Sequence, residues 1–462
     1  MEGAFAACGP IGSSPSSLPA TSSGPAYLVV DPSTSYQTID GFGGADTWAP
    51  GGPLSDDAAK LFFDLDAGIG LSLLRVGIEV NGTPMGGDAV YSDIKLAATY
   101  GVRVWGAPWS PPASDKDNAN AVDGGDLCAA AGMGACTGDA YDAWATILAQ
   151  FATTVQAQTG VTLYGVSAQN EPDFVAQYYS SCTYSGDQMV SFLNVLGPKL
   201  RALDAGVKLI APEPDQWQEL WSGRDYGTKI LADPTANSLV DVLATHDYGF
   251  SPKPPPAGVT QPIWETEVAG LKNPNDLPTV AAGPNVTIDN GLTVAQWVHD
   301  AITIGGASAW HYWWLVTQNS YDNEGLIFQP GKGPDAGPGG QPVGDVTSPP
   351  KRLYTVGNYS KFVRPGYKRI DVSGSVPASV LATAYQDPAK HTIAIVAINN
   401  DTKDATFQLS IAGGSGSNPF TPWVTSATDN LAMKPAIALD ADAGAFTVTL
   451  PAESVTTLVG QP

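Results

Sequence analysis

The sequence predicts a (β/α)8 barrel followed by a β-sandwich. Between residues 41 and 363, short apolar segments alternate with segments of helical periodicity, which is typical of parallel strands joined by helices. From residue 364 to residue 462, short alternating segments are separated by Asn, Asp and Gly, which is typical of a β-sandwich. An open doubly wound sheet is the alternative for the first part, but no Gly-x-Gly-x-x-Gly turn follows its first strand.

The elements follow one another in a regular order. Residues 1–24 are rich in Ser, Pro, Gly and Ala and predict a flexible leader. Residues 25–40 carry strand signals but no helix of their own, so we assign them to the sandwich. Helical periodicity is clear over residues 141–159 and 188–205, and residues 354–363 predict the closing helix of the barrel. The eight barrel strands are expected near Gly41 and within residues 71–78, 102–109, 163–169, 207–214, 240–248, 263–267 and 309–316.

Composition limits the classes of partner. The 462-residue chain has a formal charge of −23 and a pI near 4.3, so its field repels nucleic acid, anionic membranes and polyanions. No run of about 18 apolar residues predicts a transmembrane helix. Twelve Trp and seventeen Tyr can supply flat surfaces for sugar rings, although core packing is their ordinary role. Neutral ligands remain open, and we expect a secreted monomer without a cofactor, metal, nucleic-acid or membrane partner.

Four cysteines are present, at Cys8, Cys128, Cys136 and Cys182. They have no Cys-x-x-Cys spacing, which argues against a metal site, and their even number favours one or two disulfides and an oxidising compartment. Cys128 and Cys136 lie in one loop and could close a small ring, whereas Cys8 and Cys182 need long-range partners. The sequence leaves the connectivity open.

Glu171 is the first candidate for a catalytic residue. It follows the apolar segment 161–169 in the sequence Asn170-Glu171-Pro172, at the carboxyl end of a predicted barrel strand, where such barrels place catalytic side chains. Pro172 disfavours helical geometry for the residue before it, so we expect Glu171 on a stiff, extended exit from the strand. A glutamate that only closes a strand is the alternative.

A second strand-end carboxylate occurs in the segment 263–267, Ile-Trp-Glu-Thr-Glu. Side chains alternate along a strand, so Glu265 and Glu267 face the same way and Glu267 lies nearer the rim. We therefore assign the chemistry to Glu267 and expect Glu265 to be structural. If Glu171 and Glu267 end the fourth and seventh strands, their carboxyl groups can approach to about 5.5 Å, the separation of a retaining glycosidase.

Neighbouring residues support this pair. Asn170 could donate to a sugar 2-hydroxyl, and Arg75, expected at the end of the second strand, could keep the nucleophile ionised. Glu213, which ends the fifth strand, is the main rival carboxylate. Other strand ends are polar or aromatic, as a sugar cleft requires, and the candidates for substrate binding among them are Trp109, Ser110, His246, Tyr248, Trp310, Trp313 and Trp314. Half of the tryptophans near residue 310 must face the helices instead.

These motifs, in their order along the chain, resemble glycoside hydrolase family 30. They are Gly-Phe-Gly-Gly-Ala from Gly41, Leu74-Arg75-Val-Gly, Ala-Pro-Trp-Ser-Pro-Pro from residue 107, Ser-Ala-Gln-Asn-Glu-Pro-Asp from residue 167, Ala-Pro-Glu at 211–213, Thr-His-Asp-Tyr-Gly from residue 245, Trp-Glu-Thr-Glu at 264–267 and the segment 351–367. The resemblance covers nearly everything from Gln37 onward. It implies a retaining hydrolase with Glu171 as acid/base and Glu267 as nucleophile, on a barrel fused to a sandwich.

The resemblance also bears on the substrate. Bacterial glucuronoxylan-cutting members of that family carry arginines after the Trp-rich eighth strand, and residues 313–319 here contain none. The segment 173–184 is similar to the xylan-active branches. We therefore expect an endo-acting xylanase without obligatory glucuronate recognition. The alternatives are a β-1,6-glucanase or β-1,6-galactanase, an exo-acting xylobiohydrolase, and a non-catalytic carbohydrate-binding protein.

Overall fold

The computed structural model describes residues 26–203, 206–249, 251–270, 285–318, 323–329, 344–413, 418–440 and 444–461. The leader expected at residues 1–24, and Cys8 within it, lies outside the described residues. Among the helices of the described ranges, none combines the length and the apolar character that a membrane crossing requires.

The barrel is a closed ring of eight parallel strands, as predicted. The last strand pairs with both its predecessor and the first strand, which closes the ring. Because helices cover the outside and side chains fill the inside, these strands are buried on both faces, which explains their continuous apolar character. After β1 (Tyr27–Thr38), which belongs to another sheet, the ring consists of β2 (Gly41–Ala45), β3 (Leu73–Ile78), β4 (Arg103–Pro108), β5 (Gly165–Ser167), β6 (Lys208–Pro212), β7 (Val242–His246), β8 (Ile263–Glu267) and β9 (Ala307–Thr317). A further short strand, β10 (Gly325–Phe328), pairs with the end of β9.

The helices pack around this ring through one apolar face each. In the third helix, Trp144, Leu148, Phe151 and Val155 recur at helical spacing and are all fully buried, and Gly160 ends the helix at a φ of 77° that suits glycine. The prediction for residues 141–159 is confirmed. The helices are α1 (Asp56–Phe63), α2 (Asp88–Thr99), α3 (Tyr141–Thr159), α4 (Gly186–Leu203), α5 (Trp217–Trp221), α6 (Tyr226–Ala232), α7 (Pro234–Leu239), α8 (Ile288–Thr303) and α9 (Lys351–Ser360).

Three helix boundaries differ from the sequence-based expectation. The helix expected from residue 188 begins at Gly186, and the closing helix expected over residues 354–363 runs from Lys351 to Ser360. The closing helix follows directly on Pro350, which takes the N-cap position with an extended ψ of 155°. A proline just before a helix satisfies the φ requirement without needing a hydrogen-bond donor, so the helix begins there.

The second sheet has nine strands and curls into the sandwich. β1 lies within it, antiparallel to the strand that follows the barrel and parallel to a later one. Its other strands are β11 (Lys368–Ser375), β12 (Val380–Gln386), β13 (Ile393–Asn399), β14 (Ala405–Ile411), β15 (Thr421–Thr425), β16 (Ala432–Met433), β17 (Phe446–Leu450) and β18 (Ser454–Gly460). The strand order is β16-β15-β18-β13-β12-β11-β1-β14-β17.

β13 joins the two parts of the molecule because both its faces are buried. Ile393 and Ile395 pack in the sandwich core, whereas the alternate residues Val396 and Ile398 belong to the core shared with the barrel helices. Asn358 of α9 adds hydrogen bonds to the sandwich, through its amide nitrogen to the Trp423 carbonyl and the Thr457 hydroxyl, each at 3.0 Å. The sandwich is thus fixed against the barrel.

One disulfide is present in the described residues, between Cys128 and Cys136. The two residues lie in the loop between β4 and α3, as their proximity in sequence suggested. Cys182 is not in a disulfide: its thiol is fully buried, and burial raises its pKa to about 12. Cys182, which the sequence left as a possible disulfide cysteine, is therefore a free thiol that packs in the core beside Lys116 and Tyr184.

Candidate active site

Two glutamates from different strands meet at the carboxyl rim of the barrel. Glu267 is the last residue of β8, and Glu171 lies shortly beyond the end of β5. One carboxylate oxygen of each residue lies within 4.8 Å of the other and of a ring nitrogen of His246. Carboxyl groups about 5–5.5 Å apart suit nucleophilic attack by one and proton transfer by the other, whereas about 6.5–9.5 Å leaves room for an intervening water. The rim therefore has the spacing of a double displacement.

Glu171 does not have the extended backbone that Pro172 suggested. Its φ is +46°, in the left-handed region. Its N–H donates to the Glu213 carbonyl at 2.9 Å, and its own carbonyl accepts from the Phe174 N–H at 3.1 Å. These bonds to the neighbouring strand end and within a turn impose the conformation, at a cost of about 1–3 kcal/mol. They fix the carboxylate at the rim.

Glu267 is held by contacts on both carboxylate oxygens. The Arg75 guanidinium donates to Oε2 at 2.5 Å, and the Tyr248 hydroxyl donates to Oε1 at 3.0 Å. Burial raises the pKa of Glu267, while the positive charges of His246 and Arg75 and the Tyr248 hydroxyl oppose that rise. Only 5% of the residue is exposed, so its orientation is set by these contacts rather than by solvent.

Arg75 lies in the middle of β3 and not at its end, which corrects the sequence-based placement. Leu73 and Arg75 point into the barrel by strand alternation, so the guanidinium approaches the rim from below. It pairs with Glu213 at 2.9 Å as well as with Glu267, donates to the Asn170 side-chain oxygen, and lies 4.8 Å from the centre of the Trp109 ring. Although burial alone would lower the pKa of Arg75, the two glutamates raise it.

His246 lies beneath the rim, fully buried, and contacts three carboxylates. Nδ1 is 3.1 Å from Glu171 Oε1, and Nε2 is 3.5 Å from Glu213 Oε1 and 3.7 Å from Glu267 Oε2. Burial alone would lower the pKa of His246, but the charge of Glu267 and the hydrogen bonds to Glu171 and Glu213 raise it to about 10. The imidazole is thus protonated at neutral pH. Two positive groups, His246 and Arg75, already offset most of the negative charge of these carboxylates, so the donor set suits hydrogen bonding rather than a metal cation.

The two rival glutamates lie below the rim. Glu213 is fully buried, with Ser167 donating to Oε2 at 2.5 Å and Arg75 contacting Oε1. Burial alone would raise the pKa of Glu213, but Arg75 and His246 lower it, so it stays ionised. Glu265 is also fully buried and accepts from the Glu267 N–H at 3.1 Å. Neither belongs to the cleft wall, so both serve to position other groups.

A cleft of about 540 Å³ opens above the two rim glutamates. Five of the predicted supporting residues, Asn170, Trp109, Tyr248, Trp313 and Trp314, line it beside Glu171 and Glu267. Trp313 and Trp314 are successive residues, yet they stack on each other at 4.9 Å and both reach the cleft. A register shift between β2 and β9 falls at this point, and such a bulge allows two neighbours to face the same side.

Three predicted binding residues do not reach the cleft. His246 is fully buried among carboxylates and is not part of the cleft wall. Trp310 is fully buried with Tyr312 in the core between the barrel and its helices, because it lies on the outward-facing side of β9. Ser110 is also fully buried, and its hydroxyl donates to the Pro111 carbonyl at 2.9 Å. The expectation that they contact substrate is therefore wrong.

Seven cleft residues were missed by sequence reasoning. The strand-end rule that selected Trp109 could have found Trp48, which follows β2 and packs against Trp109 and Trp314 at ring distances of 5.6 and 6.0 Å. Its φ of +66° is as unusual as that of Glu171. No comparable signal marks the others, which come from loops. The seven are Trp48, Phe174, Tyr179, Asp215, Gln216, Gly249 and Glu324.

Replacing His246 with Gln is expected to cost less stability as the pH rises. The folded-state pKa of about 10 lies above the ordinary value of about 6.5, so the stabilisation is fully present below about pH 6.5 and is lost as the pH rises through about 10. The difference in the free energy of unfolding between wild type and H246Q should shrink by at most about 1.4 kcal/mol per pH unit in this range. Urea unfolding at about pH 6, 8 and 10 measures it.

His311→Gln provides the matched control for this experiment. His311 is also fully buried, but its Nδ1 contacts the Glu265 carbonyl at 3.0 Å, its Nε2 accepts from the Trp105 indole at 3.2 Å, and burial lowers its pKa to about 3. Well above the unfolded-state pKa of about 6.5 it is neutral in both folded and unfolded states, so the cost of H311Q should stay constant between about pH 8 and 10. A cost of H246Q that is equally constant would contradict a protonated His246.

Comparison with known proteins matches both parts of the fold. Residues 366–458 match the family model for the glycosyl hydrolase family 30 beta sandwich domain. Over 443 residues the chain is 30% identical to Glucuronoxylanase XynC of Bacillus subtilis strain 168, covering 94% of this chain and 91% of that protein. Among solved structures, it is similar to the glycoside hydrolase family 30 subfamily 8 xylanase Xyn30A from Clostridium acetobutylicum, with a TM-score of 0.74 and 29% identity over 94% of this chain and 99% of that chain. It is also similar to the catalytic domain of the GH30 xylanase C from Talaromyces cellulolyticus, with a TM-score of 0.76 and 26% identity over 94% and 100% of the two chains.

Proposed function

This chain belongs to glycoside hydrolase family 30, and on that premise we propose that it cleaves β-1,4-xylan internally by a retaining double displacement, without requiring a glucuronate branch. The observation that carries the proposal is the close approach of Glu171 and Glu267, whose nearest oxygens lie within 4.8 Å. At that separation one carboxylate can attack the anomeric carbon while the other protonates the departing oxygen.

Glu267 acts as the nucleophile in this mechanism. Its carboxylate forms the bond to the anomeric carbon while Glu171 gives its proton to the leaving glycosidic oxygen. In the second step Glu171 removes a proton from water, the water oxygen bonds to the anomeric carbon, and Glu267 is released. Arg75 and Tyr248 keep Glu267 oriented through both steps, because they bond to different oxygens of the carboxylate.

The cleft wall fits a neutral sugar chain. Trp48, Trp313 and Trp314 offer partly exposed indoles, on which the apolar face of a pyranose can stack. Asn170 accepts from Arg75 through its side-chain oxygen, so the donor half of the amide is the part left for a sugar 2-hydroxyl. A bond to the 2-hydroxyl strengthens as charge develops in the transition state.

Independence from glucuronate is supported by the charges around the cleft. Asp215 and Glu324 line it in addition to Glu171 and Glu267, and among the described lining residues there is no Lys or Arg. Arg75 lies below them, fully buried and paired with carboxylates. A glucuronate would therefore meet carboxylates without a guanidinium partner in this part of the site.

We also propose that the protein is secreted and acts as a monomer. The disulfide between Cys128 and Cys136 supports an oxidising compartment.

The choice of xylan as the polymer is supported by the similar proteins with xylanase in their names. The acidic charge of −23 supports a polymer without charge.

A panel of polymers tests the substrate. The chain is expected to release mixed oligosaccharides from arabinoxylan, glucuronoxylan and unbranched xylan alike, and to leave β-1,6-glucan and β-1,6-galactan uncut. Product sizes from chromatography and mass spectrometry distinguish the candidate substrates and separate endo-action from exo-action. Cleavage confined to glucuronoxylan, with one glucuronate in each product, would contradict independence from glucuronate. Release of xylobiose alone would indicate exo-action, and binding without turnover would indicate a carbohydrate-binding protein.

A further inference from the structure

A cluster of exposed apolar side chains lies beside Glu171. Four of the ten large hydrophobic residues that are exposed in the described chain fall within six successive positions, 174–179. Phe174 is 42% exposed, Val175 48%, Tyr178 94% and Tyr179 37%. A monomer seldom gathers such side chains at one place without a ligand or partner, because the exposed apolar surface is unfavourable in water.

The backbone of this segment is held in place. The Phe174 N–H donates to Glu171, and the Ala176 carbonyl accepts from the Asp123 N–H at 2.9 Å. The Ser181 hydroxyl accepts from the N–H groups of Gly124 at 2.9 Å and Ala176 at 3.2 Å. The segment therefore presents its side chains from a fixed position.

The position of residues 174–179 beside the cleft indicates which part of the substrate they can contact. Phe174 and Tyr179 line the cleft, and Tyr179 packs edge-on against Trp48 at a ring distance of 6.4 Å. Tyr178 precedes Tyr179 in the chain and is 94% exposed, so the aromatic lining of the cleft continues in sequence into an exposed segment. This segment begins three residues after Glu171, which in the proposed mechanism meets the leaving oxygen, so we place the sugars of the leaving group next to it.

We propose that residues 174–179 form a platform for the leaving-group part of the xylan chain, with Tyr178 and Phe174 stacking on its sugar rings. A xylose ring offers flat apolar faces and no charge, which suits the side chains of Tyr and Phe. The platform is continuous with the cleft, so a chain that reaches past the cleaved bond can cover it. This inference rests on the proposed function.

Tyr178→Ala tests the platform by its dependence on substrate length. Its kcat/KM for long xylo-oligosaccharides is expected to fall roughly tenfold, mainly through KM, because the stacking is present in ground and transition states alike. Hydrolysis of a nitrophenyl xylobioside should change less than about twofold, since its leaving group is too small to reach residue 178. Tyr178→Phe keeps the ring and should behave as wild type.

Tyr27→Ala is the matched control, because Tyr27 is 48% exposed on β1 of the sandwich. Equal losses of Y178A on long and nitrophenyl substrates, or no loss on either, would overturn the platform. Phe174→Ala should also lose activity on the long substrates, so a folding defect in one variant is recognisable. If the wild type cleaves no xylo-oligosaccharide but does cleave another glycan, the proposed substrate fails, and the same length series made from that glycan decides the platform.

Discussion

Replacing Glu267 with Ala is expected to lower kcat on a nitrophenyl xyloside by about 10⁴-fold or more, because the covalent intermediate can no longer form. Added azide should restore turnover by entering the space of the missing carboxylate. Azide then attacks from that face in a single displacement, so the glycosyl azide has the inverted, α configuration. Proton NMR of the product reports the configuration directly.

Glu171→Ala is the companion variant, with an opposite stereochemical result. Its loss should be about 10²–10⁴-fold on natural glycosidic bonds, the range for removing an acid/base group, and smaller for a nitrophenol, which leaves without protonation. Azide should then attack the covalent intermediate on Glu267 and give the retained, β product. An inverted product from E171A, or a retained one from E267A, would exchange the roles of the two residues.

Glu265→Gln and Glu213→Gln complete this series. Both carboxylates are fully buried below the rim, so neither should gain activity from azide. Azide rescue of E213Q or E265Q would contradict the assignment of Glu267.

Replacing Arg75 with Met is expected to destabilise the protein by about 3–5 kcal/mol as well as to lower activity. The guanidinium is fully buried and pairs with Glu213 and Glu267, so its removal leaves two buried carboxylates without their cation. Urea unfolding measures the loss of stability, and steady-state kinetics the loss of activity. We expect the free energy of unfolding and the activity to fall together.

Lys229→Met is the control for this variant. Lys229 pairs with Asp187 at 2.6 Å, but the two side chains are 36% and 83% exposed, so the expected loss is about 0–1 kcal/mol. Arg75→Lys keeps the charge without the planar fork that reaches Glu213, Glu267 and Asn170, and should fall between wild type and R75M. Equal stability of R75M and K229M would contradict the role of Arg75 in the site.

The elements with strong local signals were predicted well. The helix at residues 141–159 combines an apolar face with a terminal glycine, so its limits agree with the structure. The barrel strands are buried on both faces, and their apolar segments between polar loops located all eight. Glu171 and Glu267 could be selected because a carboxylate at the end of a buried strand needs a reason to be there.

The predictions that were wrong concern the directions of side chains and the contacts that residues make in the fold. Trp310 and Trp313 lie in the same Trp-rich strand, and nothing local distinguishes their directions. The register between β9 and its neighbours decides that Trp310 faces the helices and that Trp313 faces the cleft. Glu171 has a left-handed backbone because its N–H bonds to the end of β6, a partner that Pro172 does not reveal. Cys182, one of the possible disulfide cysteines, is a free thiol in the core, a position that its place in the sequence does not reveal.

The barrel, the appended sandwich and the two rim glutamates could be predicted from the sequence, because apolar periodicity and strand-end polarity are local properties of the chain. The arrangement of Arg75, His246 and Glu213 around those glutamates, and the choice of aromatic rings that form the cleft, depend on the folded structure. These residues come from strands far apart in sequence, and barrel closure, strand register and burial set their distances and charges. No local pattern contains that information.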